Sequence, residues 1–191
     1  MKNSKLLTAA AIACCAITCG AILAIGGAAF AKDGSSACME GPMAQFGRYV
    51  GDWKIDDETL AKDGSGWGPG KGARWVFECI GDGTAVQDFW YPNGGGYGTN
   101  LRTYNPDTGS WEIVWSAQKQ NGLMHISAKL DDEDRVRMDI LKPVPERPRR
   151  ITFLPPHENG WDWVMEMSFD EGETWTEVYK IKATPWEALA D

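Results

Sequence analysis

Histidine is almost missing from this chain of 191 residues, with His125 and His157 its two copies, and that scarcity excludes a histidine-rich metal cluster. A haem-binding barrel would need one of them to face a cavity as axial ligand. His125 falls on the polar face of its strand and His157 lies in a Pro-Pro-x-Glu-Asn-Gly loop, so no cofactor is expected. No G-x-S-x-G elbow is present to lift a nucleophilic serine, which removes the hydrolase triad. Gly66-Trp67-Gly68-Pro69-Gly70-Lys71-Gly72 has the composition of a phosphate-cradling loop. Ser65 stands where the first glycine belongs and Gly72 where the hydroxyl belongs, so a mobile surface loop, a lid over an opening, is the expectation. Carboxylates group as Asp56-Asp57-Glu58 and Asp131-Asp132-Glu133-Asp134. Neighbours along a strand point to opposite faces, and an acidic turn reads as solvated edge protection rather than a calcium site. No catalytic or metal-binding residue is assigned, and a non-enzymatic protein is expected.

Positive charge is also in short supply. Met1–Ala31 combines Lys2 and Lys5 with an apolar run from Leu6 and ends in Ala29-Phe30-Ala31, the small-x-small pattern that a signal peptidase accepts. Export to the periplasm or the medium is the expectation, with an uncleaved anchor as the rival, since the run nearly suffices to cross a bilayer. Ala16-Ile17-Thr18 ahead of Cys19 lacks the leucine and the small residue of a lipidation site. Removing Lys2 and Lys5 from the 19 basic residues leaves 17 against 27 acidic ones, a balance of −10 for residues 32–191. Such a surface repels phosphate backbones and anionic headgroups, so neither nucleic acid nor, once the leader is gone, a membrane is expected as partner. Arg147-Pro148-Arg149-Arg150 is the local exception and reads as a solvated loop.

Cysteine is sparse once the leader is set aside. Cys14, Cys15 and Cys19 lie within it, leaving Cys38 and Cys79. In an oxidising compartment two such thiols invite one bridge, tying the N-terminal arm to an early strand and stabilising the fold by about 3 to 4 kcal/mol in the loop-entropy model. Two separate thiols, with Cys79 a small buried apolar residue, is the other outcome.

Helical periodicity is nearly absent beyond a short helix near Met43–Tyr49. What is abundant is short β-branched or aromatic runs punctuated by Gly, Asp, Asn and Pro. Strands are expected at Trp53–Leu60, Ala73–Ile80, Ala85–Tyr91, Tyr97–Tyr104, Trp111–Gln118, Leu123–Leu130, Arg135–Leu141, Arg150–Leu154, Asp162–Phe169 and Thr174–Ala183. Short links such as Gly81-Asp82-Gly83 and Gln120-Asn121-Gly122 suit antiparallel hairpins. Alternation gives each strand one wet and one dry face. Trp111, Ile113, Trp115 and Ala117 share a side, as do Met124, Ile126, Ala128 and Leu130; Val136, Met138 and Ile140; and Trp161, Trp163, Met165 and Met167. The dry faces meet most simply if the meander curls on itself, giving an all-β, antiparallel up-and-down barrel of about eight to ten strands. The domain plan is a leader over 1–31, an arm over 32–46, the barrel over 47–185 and a tail over 186–191.

Two hairpins have a shared logic: Ser168-Phe169-Asp170-Glu171-Gly172-Glu173-Thr174-Trp175 and, more loosely, Asn105-Pro106-Asp107-Thr108-Gly109-Ser110-Trp111. In each an Asp accepts from the turn's own backbone and a Gly takes a positive φ. The first fits the Asp-box hairpin common in sialidase propellers. One good copy does not make a propeller, so it reads as a turn-stabilising device without glycosidase chemistry. Gly51-Asp52-Trp53, following Phe46-Gly47-Arg48-Tyr49-Val50, resembles the G-x-W opening of lipocalin-type barrels. Together with the late hairpin, it makes Gly47–Pro185 resemble an uncharacterised bacterial family of lipocalin-like exported proteins. The resemblance implies a small barrel with an apolar interior, Trp53 closing its base, and no established catalytic residues.

The dry faces gather Trp75, Phe77, Trp115, Met124, Met138, Trp163, Met165 and Tyr179. Flat rings and thioethers accept varied apolar molecules through dispersion and water exclusion, so these eight are the candidate ligand-binding residues and a small hydrophobic molecule the expected partner. The same side chains would serve a fully packed core. Two further readings are a sugar-stacking platform of Trp67, Trp90 and Tyr91, and a barrel isomerase or hydratase. The latter needs a buried ionisable group, for which Glu177, on the face of Trp175 and Tyr179, is the candidate.

Overall fold

The computed structural model describes residues 37–187. The expected leader and cleavage site, residues 32–36 of the arm and the last four residues of the tail lie outside the described residues. Eleven strands follow one another: β1 (Gly51–Leu60), β2 (Trp67–Pro69), β3 (Ala73–Ile80), β4 (Ala85–Pro92), β5 (Gly98–Asn105), β6 (Ser110–Ala117), β7 (Met124–Leu130), β8 (Val136–Lys142), β9 (Arg149–Phe153), β10 (Trp161–Met167) and β11 (Thr176–Pro185). Each long strand pairs antiparallel with the next, and β11 returns to β1 with Trp53 opposite Pro185 and Thr59 opposite Tyr179. Ten strands therefore close into an antiparallel barrel. Closure satisfies every stave on both edges, which removes the exposed edges of an open sheet.

Ahead of β1 lies one seven-residue helical segment, α1, a 3₁₀ turn over Gly41–Met43 running into Ala44–Gly47. It corks one end of the barrel, here called the base. Phe46 and Tyr49 are fully buried, and Phe46 meets Trp111 edge-on at 4.8 Å. Tyr49 packs against Phe153 at 5.1 Å and Trp161 at 5.3 Å. Three polar groups in this plug find partners: Tyr49 Oη donates to the Leu154 carbonyl at 3.0 Å, Trp53 Nε1 to the Tyr49 carbonyl at 2.8 Å, and Trp111 Nε1 to Gln45 Oε1 at 2.9 Å. Burial, opposed by neighbouring Arg48, pushes the Tyr49 phenol up to about 12. Arg48 reaches the β7–β8 turn, pairing with Asp134 at 2.8 Å. Cys38 and Cys79 are joined by a disulfide, and a Cβ on Gly47 would sit 1.9 Å from the Cys38 carbonyl oxygen, so only glycine lets the arm cross the helix there.

Several local expectations change. Trp67–Pro69 is not part of a lid; it is β2, pairing with Glu58–Leu60 where β3 leaves β1. The following glycines explain the break: Gly70 N donates to the Asp57 carbonyl and Gly72 N to Asp57 Oδ1, both at 2.7 Å. The loop that looked fit to cradle phosphate cradles the protein's own carboxylate, and a Cβ on Gly70 would lie 2.1 Å from it. Leu130, the last residue of β7, is exposed rather than buried, although its cross-strand partner Val136 is fully buried. In the Asp-box hairpin Asp170 accepts from Thr174 N and Ser168 Oγ, each at 2.8 Å, and from Thr174 Oγ1 at 2.5 Å. Those bonds, led by the Thr174 hydroxyl, hold its carboxyl at about 2. In the acidic turn, Asp131 accepts from the Arg135 and Arg137 guanidinium groups at 2.9 and 3.0 Å, so arginines rather than a cation neutralise it.

Candidate functional site

The interior divides into two storeys. Toward the base, Phe46, Phe77, Trp111, Phe153 and Trp161 pack ring against ring and leave no room. Toward the opposite end, the mouth, a cavity of about 180 Å³ remains. Six of the eight predicted residues line it: Trp75, Trp115, Met124, Met138, Trp163 and Tyr179. Phe77 does not; it belongs to the packed base, one residue pair deeper along β3 than Trp75. Met165 packs partly buried beside the core without lining the cavity. Ile126, Ile151, Phe153 and Ile181 complete the apolar wall.

Trp90 also faces this space, meeting Trp75 edge-on at 5.0 Å. The proposed stacking platform therefore comes apart: successive residues of β4 point to opposite faces, so Trp90 turns inward while Tyr91 is exposed outside. Trp67 lies elsewhere again, under the ammonium of Lys180 at 4.0 Å.

At the mouth, Trp115 lies against Gly98, where a Cβ would come within 2.1 Å of the ring. Glycine at this buried position is what lets an indole cross the opening. Trp163 packs edge-on to Tyr179 at 5.6 Å, and Tyr179 Oη donates to Asp57 Oδ2 at 2.6 Å. Burial, aided by the Asp57 carboxylate, raises the Tyr179 phenol, so it stays a donor.

Glu177 is not in the interior. A bulge between Met165 and Glu166 sets Met165 opposite Tyr179 but Glu166 opposite Glu177, leaving Val178 as the extra residue and reversing the parity of what precedes it. Glu177 therefore points out and pairs with Lys180 at 2.9 Å, and Trp175 stacks on Arg150 outside. Simple alternation fails at the single residue on which the enzyme reading depended.

The buried charged side chains among the described residues are instead Asp88 on β4 and Arg102 on β5, both fully buried and in ion-pair contact. The Asp88 carboxylate also accepts from Asn100 Nδ2 at 3.2 and 3.0 Å and from Asn100 N at 3.2 Å. Arg102 lies 4.8 Å from the Phe46 ring centre, 5.1 Å from Phe77 and 5.9 Å from Phe153, and also borders the cavity, so its guanidinium separates packed base from open storey. Burial lowers the Arg102 pKa, with Asp88 opposing that trend. The pattern was visible: β5 reads Asn100, Arg102, Tyr104 on one face and Leu101 on the other, and it is the polar set that points in. A larger groove of about 740 Å³ runs across β1 and β11, where the charged side chains of Lys54, Asp56, Glu58, Lys180 and Lys182 stand beside the buried Ile55, Ala73, Trp163 and Ile181.

Among the described residues no group of three or more His, Cys, Asp or Glu side chains is placed to hold a metal ion. Nor is any helix among them long and apolar enough to cross a membrane.

Fold and site together define a closed ten-stranded antiparallel barrel, corked at one end and hollow toward the other. No protein-family model and no curated protein matches the chain. Among solved structures it is similar to Rv2717c from M. tuberculosis, at 9% identity and a TM-score of 0.48, over 78% of this chain and 99% of that one.

Proposed function

We propose that the barrel is a non-catalytic binding protein for a small, largely apolar molecule held in the mouth-side cavity. The observation that carries this reading is the 180 Å³ space walled by Trp75, Trp90, Trp115, Met124, Met138 and Trp163. Its size decides what fits. An apolar cavity of about 150 Å³ takes benzene, whereas drug-sized ligands need roughly 300 Å³ or more. A single-ring compound is therefore the fitting guest, and retinoids, sterols and haem exceed it. Rigid rings and glycine-backed Trp115 favour a preformed site with little ordering to do on binding. A lipocalin-like affiliation and an exported, periplasmic or secreted setting belong to the same proposal, supported by the leader pattern and by the Cys38–Cys79 bridge.

Ethylbenzene titrated against the protein and followed by proton–nitrogen correlation NMR tests the reading. Saturable shifts are expected at residues lining the cavity, with a dissociation constant on the order of 0.1–1 mM for a ligand of this size. Ile126→Trp, which fills the space from a lining position, should abolish them. Shifts that stay linear in ligand, or that persist unchanged in Ile126→Trp, would remove the proposal.

A further inference from the structure

Two side chains of the cavity wall carry buried N–H donors without a hydrogen-bond partner among the described residues; Arg48 Nε and Trp161 Nε1, which do not line the cavity, are the others. Arg102 Nε and Nη2 and Trp75 Nε1 are buried with no hydrogen-bond partner among the described residues. Both side chains line the same cavity. A guanidinium offers five N–H donors and an indole one, and neither can accept. Asp88 occupies Nη1, while ring faces below attract the cation without taking up its N–H directions. No buried side-chain acceptor is orphaned among the described residues, so the deficit is an acceptor deficit. Buried donors left unmade are rare because each forfeits its bond to water, and a cavity is where a guest can restore it.

Charge narrows the class further. Arg102 is already balanced by Asp88, and a second carboxylate, Asp57, sits beside Tyr179 near the mouth. An anionic guest would bring a further uncompensated negative charge into a dry site. We propose that the ligand of this cavity is an apolar molecule bearing an uncharged acceptor oxygen, a ketone or amide carbonyl, directed at the free N–H groups of Arg102 and Trp75. This rests on the binding reading above and adds to it the polar group that orients the ligand.

Three probes of nearly equal size separate the possibilities: ethylbenzene without an acceptor, acetophenone with a neutral one and benzoate with a charged one. Acetophenone should bind about tenfold tighter than ethylbenzene, the gain of a hydrogen bond to otherwise unpartnered donors. The Arg102 Nε–H and Trp75 indole N–H resonances should move downfield with acetophenone and not with ethylbenzene. Trp75→Phe, which keeps a ring and loses the donor, should shrink the ratio of acetophenone to ethylbenzene affinity, the readout that a simple change in cavity volume would not move. The double variant Asp88→Leu/Arg102→Met should likewise shrink the advantage, and adding Trp75→Phe to it should abolish what is left. Equal affinities for ethylbenzene and acetophenone would overturn the inference while leaving the apolar cavity standing. Tighter binding of benzoate would overturn the uncharged class, and failure of all three probes would overturn both this inference and the reading beneath it.

Discussion

Removing Arg102 alone should damage the protein more than removing it together with Asp88. The two side chains are fully buried, and each is the other's charge partner. Arg102→Met leaves the Asp88 carboxylate with only the Asn100 donors, and Asp88→Leu leaves a guanidinium held by ring faces alone. Breaking a buried pair from one side costs about 3–5 kcal/mol, whereas replacing both partners with apolar groups is often neutral or better. Here the double variant still strands the Asn100 amide, which adds about 1–3 kcal/mol. The single variants should therefore sum to roughly 6–10 kcal/mol and the double to about 1–3, a coupling of at least ~3 kcal/mol. Urea unfolding of the four proteins at neutral pH, followed by circular dichroism, measures each corner of the cycle. A double variant as unstable as the two singles added together would refute the claim that the pair is a self-contained charge unit.

Reducing the Cys38–Cys79 bridge opens a loop with a sequence separation of 41 and should lower stability by about 4 kcal/mol; Cys38→Ser/Cys79→Ser should show the loss without reductant, and an unchanged unfolding midpoint would contradict it. Gly98→Ala drives a methyl into the Trp115 ring, so the Trp115 indole resonance should shift and ethylbenzene affinity fall at least several-fold while the far-ultraviolet spectrum stays that of a barrel. Asp131 is pushed up by burial but held down, to about 2, by the Arg135 and Glu133 amides and the Arg135 and Arg137 side chains; Asp170 is likewise held at about 2. Both carboxyls lie below their ordinary 3.8 in the folded state, so their contribution is complete above that value and disappears as pH falls through about 2. Asp131→Asn and Asp170→Asn should therefore flatten the acid side of the stability profile, and an unaltered slope between pH 4 and 2 would count against the assignment.

Strand positions and the barrel were readable because most staves obey a two-residue period with one apolar side, as in Trp111, Ile113, Trp115 and Val136, Met138, Ile140. Reading failed where that rule is broken by backbone or by chemistry. One extra residue at Val178 turned Glu177 outward, and no composition announces such a bulge. On β5 the apolar Leu101 faces out and Arg102 faces in, so a polarity rule sends each to the wrong side. β2 was hidden because Trp67-Gly68-Pro69 has poor strand propensity and pairs through three residues alone. The interior was half legible: the rings that would line it were identifiable, but whether they enclose space depends on α1 and the turn after it, where Phe46 and Tyr49 fill the base and leave the mouth side to Trp75 and its neighbours. Phe77 and Trp75, two residues apart on one face, end in different storeys for that reason.

The pairing of β11 with β1 brings the last described stretch of chain back beside the first stave, with Trp186 N donating to the Asp52 carbonyl at 2.9 Å. Order along the chain is thus nearly interchangeable with order around the ring. A linker from residue 187 back to the arm, with new ends opened at the exposed Gly94-Gly95 turn between β4 and β5, would leave every ladder, the cork and its sulfur tether in place. Such a rewired molecule would start at the rim rather than the floor, leaving the rim free to carry an appended sequence directly above the opening.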